Sequence, residues 1–332
     1  MSTDEIVSTQ RRNLPLLATP EAISGRTYIV TGANTGLGFE AAKHLVAFGA
    51  DKVILAVRSL EAGERAKDAI ENGTTRPGVV EVWHLDLSSF DSVKAFAQRA
   101  IAELERIDAV IENAAVAMVG PVRAEGHLLS VTVNVLGTFF LAVLLAGKMR
   151  ESAERSDGGL VRVVMVTSRI GFTAQEEWQG IWEDPLVGIE RDEGLQAKSY
   201  PLSKLMEILA LKHLVTMLPV ERTGVIFNLV CPGLCTTELI RNVPSDHKAQ
   251  ITDMHRLYGR TAEDGSRTLL HGAVAGRESH GCLLHSCEMG ENDVPDWVTD
   301  EEGKAMQKRM WDALAEVLES VEPGCVEAML RQ

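Results

Sequence analysis

The chain has 332 residues, 45% hydrophobic and 24% charged, the balance of a globular protein with a sizeable core rather than a disordered or fibrous one. With 33 basic against 47 acidic side chains the net charge is −14, which argues against a nucleic-acid partner and against an anionic membrane surface. Five cysteines, an odd number, follow a start at Met1–Glu5 that lacks the basic and apolar segments of a secretory signal; free thiols in a reducing, cytoplasmic compartment are expected.

Residues 1–24 form a polar arm with Pro15 and Pro20, expected to be loosely attached, and residues 25–332 form one domain. Thr27–Thr31 is a short β-rich run followed at once by glycines and an amphipathic stretch to Phe48, which reads as strand, tight loop and helix. Further strands are predicted at Lys52–Val57, Val79–Leu87, Asp108–Ala115, Val161–Val166 and Gly224–Val230, with a short seventh near Cys282. Between them lie helical periodicities over Asp91–Arg106, Leu128–Met149 and Leu202–Leu218. A final helix over about Glu302–Val321 belongs to a helical extension at 295–332. The longest apolar stretch, around Val135–Gly147, falls short of the ~20 residues that cross a bilayer and reads as a buried helix, so no membrane span is expected. The alternation predicts an α/β fold with a doubly wound parallel sheet of about seven strands covered on both faces by helices.

Three features carry chemistry. The loop Gly32-Ala33-Asn34-Thr35-Gly36-Leu37-Gly38 sits between the first strand and the first helix, where backbone amides and a helix N-terminus can meet a pyrophosphate. Arg58 follows the second strand, with no carboxylate until Glu61; a guanidinium there suits the 2′-phosphate of NADP, where an acid would suit NAD. Tyr200 and Lys204 stand four residues apart, on one face of a helix, so that the ammonium can pull the phenol, normally near pKa ~10, toward a working range. Pro201 places Tyr200 in that helix's first turn. His280, Cys282, His285 and Cys287 are close in sequence, but side chains on a short strand over 281–287 alternate between faces, so no metal is expected.

With these residues in view, the chain resembles the short-chain dehydrogenase/reductase family from Thr31 to about Cys287, and within it the retinol-dehydrogenase-like and fungal secondary-metabolism ketoreductase branch. The resemblance implies a Rossmann fold and an NADP(H)-dependent oxidoreductase. It assigns Gly32, Asn34, Thr35, Gly36, Leu37 and Gly38 to the cofactor loop, Asp86 and Leu87 to the adenine, and Asn113, Ala114 and Ala115 to the strand end beside the ribose. Pro232, Gly233 and Thr237 match the turn over the nicotinamide, and Ser168, Tyr200, Lys204 and Asn134 the catalytic set. Glu112, in place of an asparagine, and Ala115, in place of a glycine, depart from the pattern.

By the same resemblance, Ser168 bonds the substrate carbonyl oxygen, Tyr200 donates a proton, Lys204 lowers its pKa and binds the ribose, and Asn134 holds a water leading to solvent. The insert at 169–199, with Trp178, Trp182 and seven acidic residues, and the segment at 238–260, with Leu239, Ile240, Met254, Leu257 and Tyr258, are expected to wall the substrate pocket. Their content suggests a bulky, hydrophobic ketone or alcohol, and a homodimer is a further expectation. A dehydratase or epimerase on the same scaffold and a non-catalytic NADP-sensing protein are the competing readings.

Overall fold

The structure is a computed structural model that describes residues 9–10, 13–155, 159–191 and 193–331. Its strands are β1 (Thr27–Thr31), β2 (Lys52–Val57), β3 (Val80–His84), β4 (Ala109–Glu112), β5 (Arg123–Ala124), β6 (His127–Leu128), β7 (Val161–Val166), β8 (Val225–Cys231), β9 (Leu283–His285) and β10 (Glu288–Met289). β5 and β6 make a small hairpin of their own, and the other eight form one sheet in the order β10-β9-β8-β7-β4-β1-β2-β3. Seven are parallel, as the strand–helix alternation implies, and the eighth, β10, runs antiparallel to β9. The β9–β10 turn is made by Ser286 and Cys287, both at positive φ (51° and 61°), so the expected strand over 281–287 breaks there. β1 and β8 are buried at every position, because helices cover both faces. The chain's winding reverses between β1 and β4, and the crevice outside their carboxyl ends is where such sheets bind ligands.

The main helices are α1 (Gly36–Ala47), α2 (Leu60–Thr74), α3 (Phe90–Glu103), α4 (Leu129–Arg155), α5 (Ser199–Met217), α6 (Ser245–Tyr258), α7 (Ala262–Val274) and α8 (Glu301–Val321). Ser59 and Ser89 cap α2 and α3 by accepting from the amides of Ala62 and Ser92. α4 is apolar and long enough to cross a membrane, yet it lies inside the fold, packed between β-sheet, α3 and α5. α8 covers α5, and its Trp311 meets Phe139 of α4 edge-to-face at 6.3 Å.

Two expectations are corrected. Leu14, Ala18 and Ile23 of the N-terminal arm are buried in the core, and Gln10 is buried against Leu234 and Tyr258; the described part of the arm is therefore docked rather than loose. Trp178 is fully buried beneath α8's side of the fold, so it anchors the 169–199 insert instead of facing a ligand; Trp182 is half-buried against the same core.

Candidate active site

The glycine loop meets the requirements of a pyrophosphate cradle. Gly32 and Gly36 hold φ of +65° and +63°, a conformation that costs a side-chain-bearing residue about 1–2 kcal/mol. A Cβ at Gly38 would lie 2.5 Å from Asn113 Nδ2, so the start of α1 can approach β4 only without one. Asn113 ties the two strand ends together: its side-chain amide donates to Thr31 O at 2.8 Å, and the amides of Asn113 and Ala114 both donate to Thr31 Oγ1 at 2.9 Å. Thr35 caps α1 without a side-chain hydrogen bond, which leaves the first-turn N–H groups for an anion. These are features that fit a dinucleotide phosphate.

Around the loop, Asp86 is held by Ser88, whose amide and hydroxyl both donate to Asp86 Oδ1 (2.9 and 2.6 Å). Leu87 packs its carbonyl against Gly137, where a Cβ would sit 2.3 Å from Leu87 O. Arg58 projects from the end of β2 into solvent and has no ion-pair partner among the described residues. Ala115 lies in the loop after β4, half-buried beside Asn113 and Ala114.

Ser168 follows β7 and caps a short 3-10 turn, Arg169–Ala174; its Oγ accepts from the Ile170 amide at 3.3 Å, leaving its own O–H free to donate. Gly171 in that turn lets the chain lie directly on α5, where a Cβ would be 2.7 Å from the Leu205 amide. Tyr200 is in the first turn of α5, one residue before Pro201, as predicted from the proline. Lys204 is buried one turn further on. Its Nζ donates to Val166 O at 2.9 Å and to Glu207 Oε1 at 2.7 Å, and stands 6.0 Å from the Tyr200 ring centroid. The electrostatics differ from expectation. Burial, followed by the Glu207 charge, pushes the Tyr200 phenol above its ordinary value, and the same Glu207 carboxylate pairs with Lys204.

Asn134 sits in a π-helical turn, Thr132–Gly137, at the head of α4. Its Oδ1 accepts from the Val116 amide at 2.9 Å, and its Nδ2 donates to Val116 O at 3.0 Å and Ser203 Oγ at 2.9 Å. Both amide hydrogens are thus spent on protein groups that lock the loop after β4 to α5.

The turn Pro232-Gly233 follows β8, with Gly233 at φ +84°, and Thr237 beyond it lies beside the glycine loop, 3.4 Å from a Cβ built on Gly36. Two residues that sequence reasoning missed hold this turn. Gln10 donates to Leu234 O at 2.9 Å and accepts from Leu234 N at 3.2 Å, while Arg260, 5% exposed, donates to Pro232 O at 2.9 Å and also to Thr9 O. No local pattern marks them, since Gln10 and Leu234 are 224 residues apart. Glu207 was also missed, although an acid three residues after Lys204 in an apolar helix was legible.

A cavity of about 370 Å³ adjoins Thr237. It is lined by Ile240 and Glu238 but also by the cations Arg241, Lys248 and Arg256, the last paired with Asp253 at 3.5 Å, and by His255, whose ring is held toward the neutral form by burial. Met254 and Leu257 are exposed, so the 238–260 segment gives the cavity a cationic wall where an apolar one was expected. Among the described residues no three His, Cys, Asp or Glu side chains come together as a metal site.

A doubly wound sheet with this loop at its switch point defines a dinucleotide-binding oxidoreductase scaffold. The family model for short chain dehydrogenase matches residues 26–180. The chain is 39% identical over 307 residues to the short chain dehydrogenase/reductase dmxR8 of Cryptosporiopsis sp., covering 91% of this chain and 93% of that one. It is 35% identical over 312 residues to the short-chain dehydrogenase anuD of Penicillium roqueforti, covering 90% and 79%. A short-chain dehydrogenase of Shigella flexneri, solved in complex with NADP, superposes with a TM-score of 0.59 at 20% identity, over 81% of this chain and 100% of that one. A Beutenbergia cavernae protein described as an NAD(P)-dependent gluconate 5-dehydrogenase, also solved with NADP, gives 0.61 at 23%, over 82% and 99%. The chain belongs to the short-chain dehydrogenase/reductase family, and it is an oxidoreductase that uses a nicotinamide cofactor.

Proposed function

We propose that the protein is an NADP(H)-dependent ketoreductase that acts on a bulky carbonyl compound of secondary metabolism, as a cytoplasmic enzyme. The observation that carries this reading is the docking of the end of β7, just before Ser168, on the first turns of α5, where Tyr200 and Lys204 stand: Lys204 Nζ donates to Val166 O at 2.9 Å and Thr167 Oγ1 to Lys204 O at 3.2 Å. Arg58 at the end of β2, exposed and without an ion-pair partner among the described residues, supports NADP over NAD. NADP-bound structures of the same fold, and fungal relatives over nine-tenths of the chain, are in keeping with it.

Gly32, Gly36 and Gly38, with the free amides of α1, would hold the pyrophosphate; Arg58 the 2′-phosphate; and the Pro232–Thr237 turn the nicotinamide end. Bound NADPH supplies the hydride. Ser168 donates a hydrogen bond to the carbonyl oxygen as charge develops there, and Tyr200 delivers its hydroxyl proton to the same oxygen. Lys204, fixed by Val166 O and Glu207, keeps a positive charge beneath that proton donor. The cationic wall of the cavity beside Thr237 favours a ketone that combines an apolar body with an acidic or strongly polar oxygen substituent, such as a phenolic polyketide.

The test is NADPH oxidation, measured spectrophotometrically, against a panel of aryl and alkyl ketones with and without acidic substituents, with product alcohols identified by mass spectrometry. Net consumption of NADPH separates a reductase from an epimerase or dehydratase and from a sensor, none of which consumes it. A panel reduced only with NADH, or conversion of substrate without net NADPH loss, would overturn the reading.

A further inference from the structure

Beneath the candidate site lie two carboxyl groups that the mechanism above does not use. Glu112 ends β4 and Glu207 sits on α5; each is 2% exposed. β4 pairs with β7 in a register that sets Glu112 beside Met165, one residue before the carbonyl of Val166 that holds Lys204. Glu207 Oε1 takes the Lys204 ammonium at 2.7 Å. Among the described residues its Oε2 and both oxygens of Glu112 have no hydrogen-bond partner, although the Thr167 hydroxyl also lies against the Glu207 carboxyl.

One cation cannot compensate two buried carboxylates. An ionised carboxylate without partners in an apolar interior is costly enough that the group keeps its proton instead. Both carboxyls respond in that direction. Burial, then the Glu207 charge, pushes Glu112 well above the ordinary carboxyl range, and burial pushes Glu207 up to about 7 against the opposing pull of Lys204. The groups facing this cluster are Lys204 and Tyr200 on α5, Thr167 after β7, and Cys231 on β8 with Cys235 beyond it, both of which bear on Tyr200; Lys204 is the cation among them. Two such carboxyls titrate as a pair, not as separate groups.

We propose that Glu112 and Glu207 are positioning residues for Lys204, a buried carboxyl pair that holds one proton between its two members, and that loss of this proton to solvent sets the alkaline end of the range in which Tyr200 works. This rests on the reading of Tyr200 as proton donor. With the proton present, the pair and Lys204 together carry no net charge. Without it, a net negative charge stands beside Tyr200, holds its proton more tightly and slows its delivery to the carbonyl oxygen. The departure of Glu112 from the asparagine of the family pattern then has a purpose, since an asparagine cannot titrate.

The experiment is the pH profile of kcat for ketone reduction in wild type, Glu112→Gln, Glu112→Asn and Glu207→Gln, with thermal melting at each pH. Glu112→Gln and Glu112→Asn, which are neutral at all pH values, should keep kcat within about threefold of wild type at pH 7 and move the alkaline limb up by at least one pH unit. Glu207→Gln leaves Lys204 uncompensated, so the Tyr200 pKa should fall and alcohol oxidation, which needs the phenolate, should begin about one unit lower in pH. Stability carries an independent sign. A carboxyl whose folded pKa is raised contributes stability at low pH that is lost as pH rises through the folded value. Glu112→Gln should therefore melt above wild type at alkaline pH, with the gap narrowing toward acid. Infrared difference spectra of the wild type at neutral pH should contain a protonated-carboxyl band that Glu112→Gln removes and Glu207→Gln, in which Glu112 keeps its proton, retains. An unmoved alkaline limb in a folded Glu112 variant, or no protonated-carboxyl band in the wild type, would overturn the proposal. If the Tyr200→Phe variant keeps wild-type turnover, it is the donor reading that fails, whatever the carboxyl band shows.

Discussion

Removing the Gln10 side chain should loosen the Pro232–Thr237 turn, proposed above to hold the nicotinamide end, from 224 residues away. The Gln10 amide makes three contacts there: Nε2 to Leu234 O at 2.9 Å, Nε2 to Tyr258 O at 3.2 Å, and Oε1 from Leu234 N at 3.2 Å. Hydrogen bonds contribute a net ~0.5–1.5 kcal/mol each, and two of these are long, so Gln10→Ala should cost the turn about 1–2 kcal/mol. Gly233, at φ +84°, reaches negative φ just as readily, so its own backbone does not hold this conformation once that brace is lost. The population of the ordered turn should fall roughly 5–30-fold relative to the open one. Catalytic efficiency with NADPH should drop by a comparable factor, while the melting temperature changes little, because the contact lies at the edge of the core. Steady-state kinetics, NADPH titration by fluorescence and limited proteolysis across residues 232–258 measure the three consequences. Gly233→Ala provides the converse, since its Cβ would stand 2.2 Å from Gln10 Oε1 and displace the same amide. If Gln10→Ala keeps wild-type efficiency and protease resistance, the arm is not a brace and the argument fails.

Other outcomes follow from the same geometry. Tyr200→Phe keeps the ring and its packing but removes the proton, so melting and NADPH binding should persist while turnover falls by about 10² or more in a steady-state assay. Arg58→Asp should weaken NADPH binding about tenfold, near the lower limit for a charged hydrogen bond because Arg58 is exposed, and bring NADH closer to parity in a paired titration. The five cysteines are free and mostly buried, with Cys235 pushed up to about 12 and Cys325 to about 11 by burial; thiol titration of the native protein should be slow and of the unfolded protein complete, and elemental analysis should find no stoichiometric zinc. Arg241→Ala or Lys248→Ala should raise KM for ketones bearing an acidic group more than for neutral ketones of equal size, a comparison that a purely apolar pocket would not survive.

Much of this protein was legible in sequence because the signals are local. β1, β2 and β7 fall at the residues where apolar, β-branched runs begin and end. The loop from Gly32 to Gly38, and the i,i+4 pair Tyr200 and Lys204, are likewise read within one turn of chain. Boundaries that rest on packing were less legible: α5 begins at Ser199, three residues before its apolar periodicity, because its first turn is held by the insert packed against it. Only the tertiary structure decided which distant groups share one interior. It set Glu112 beside Met165 of β7 and within reach of the Glu207 charge, joined Gln10 to Leu234, buried Arg260 against Pro232 and Thr9, and turned the wall expected to be apolar into a largely cationic one. Periodicity reports which face of an element is buried, but not which element from another part of the chain will lie against it. The charge state of a buried group depends on that second fact.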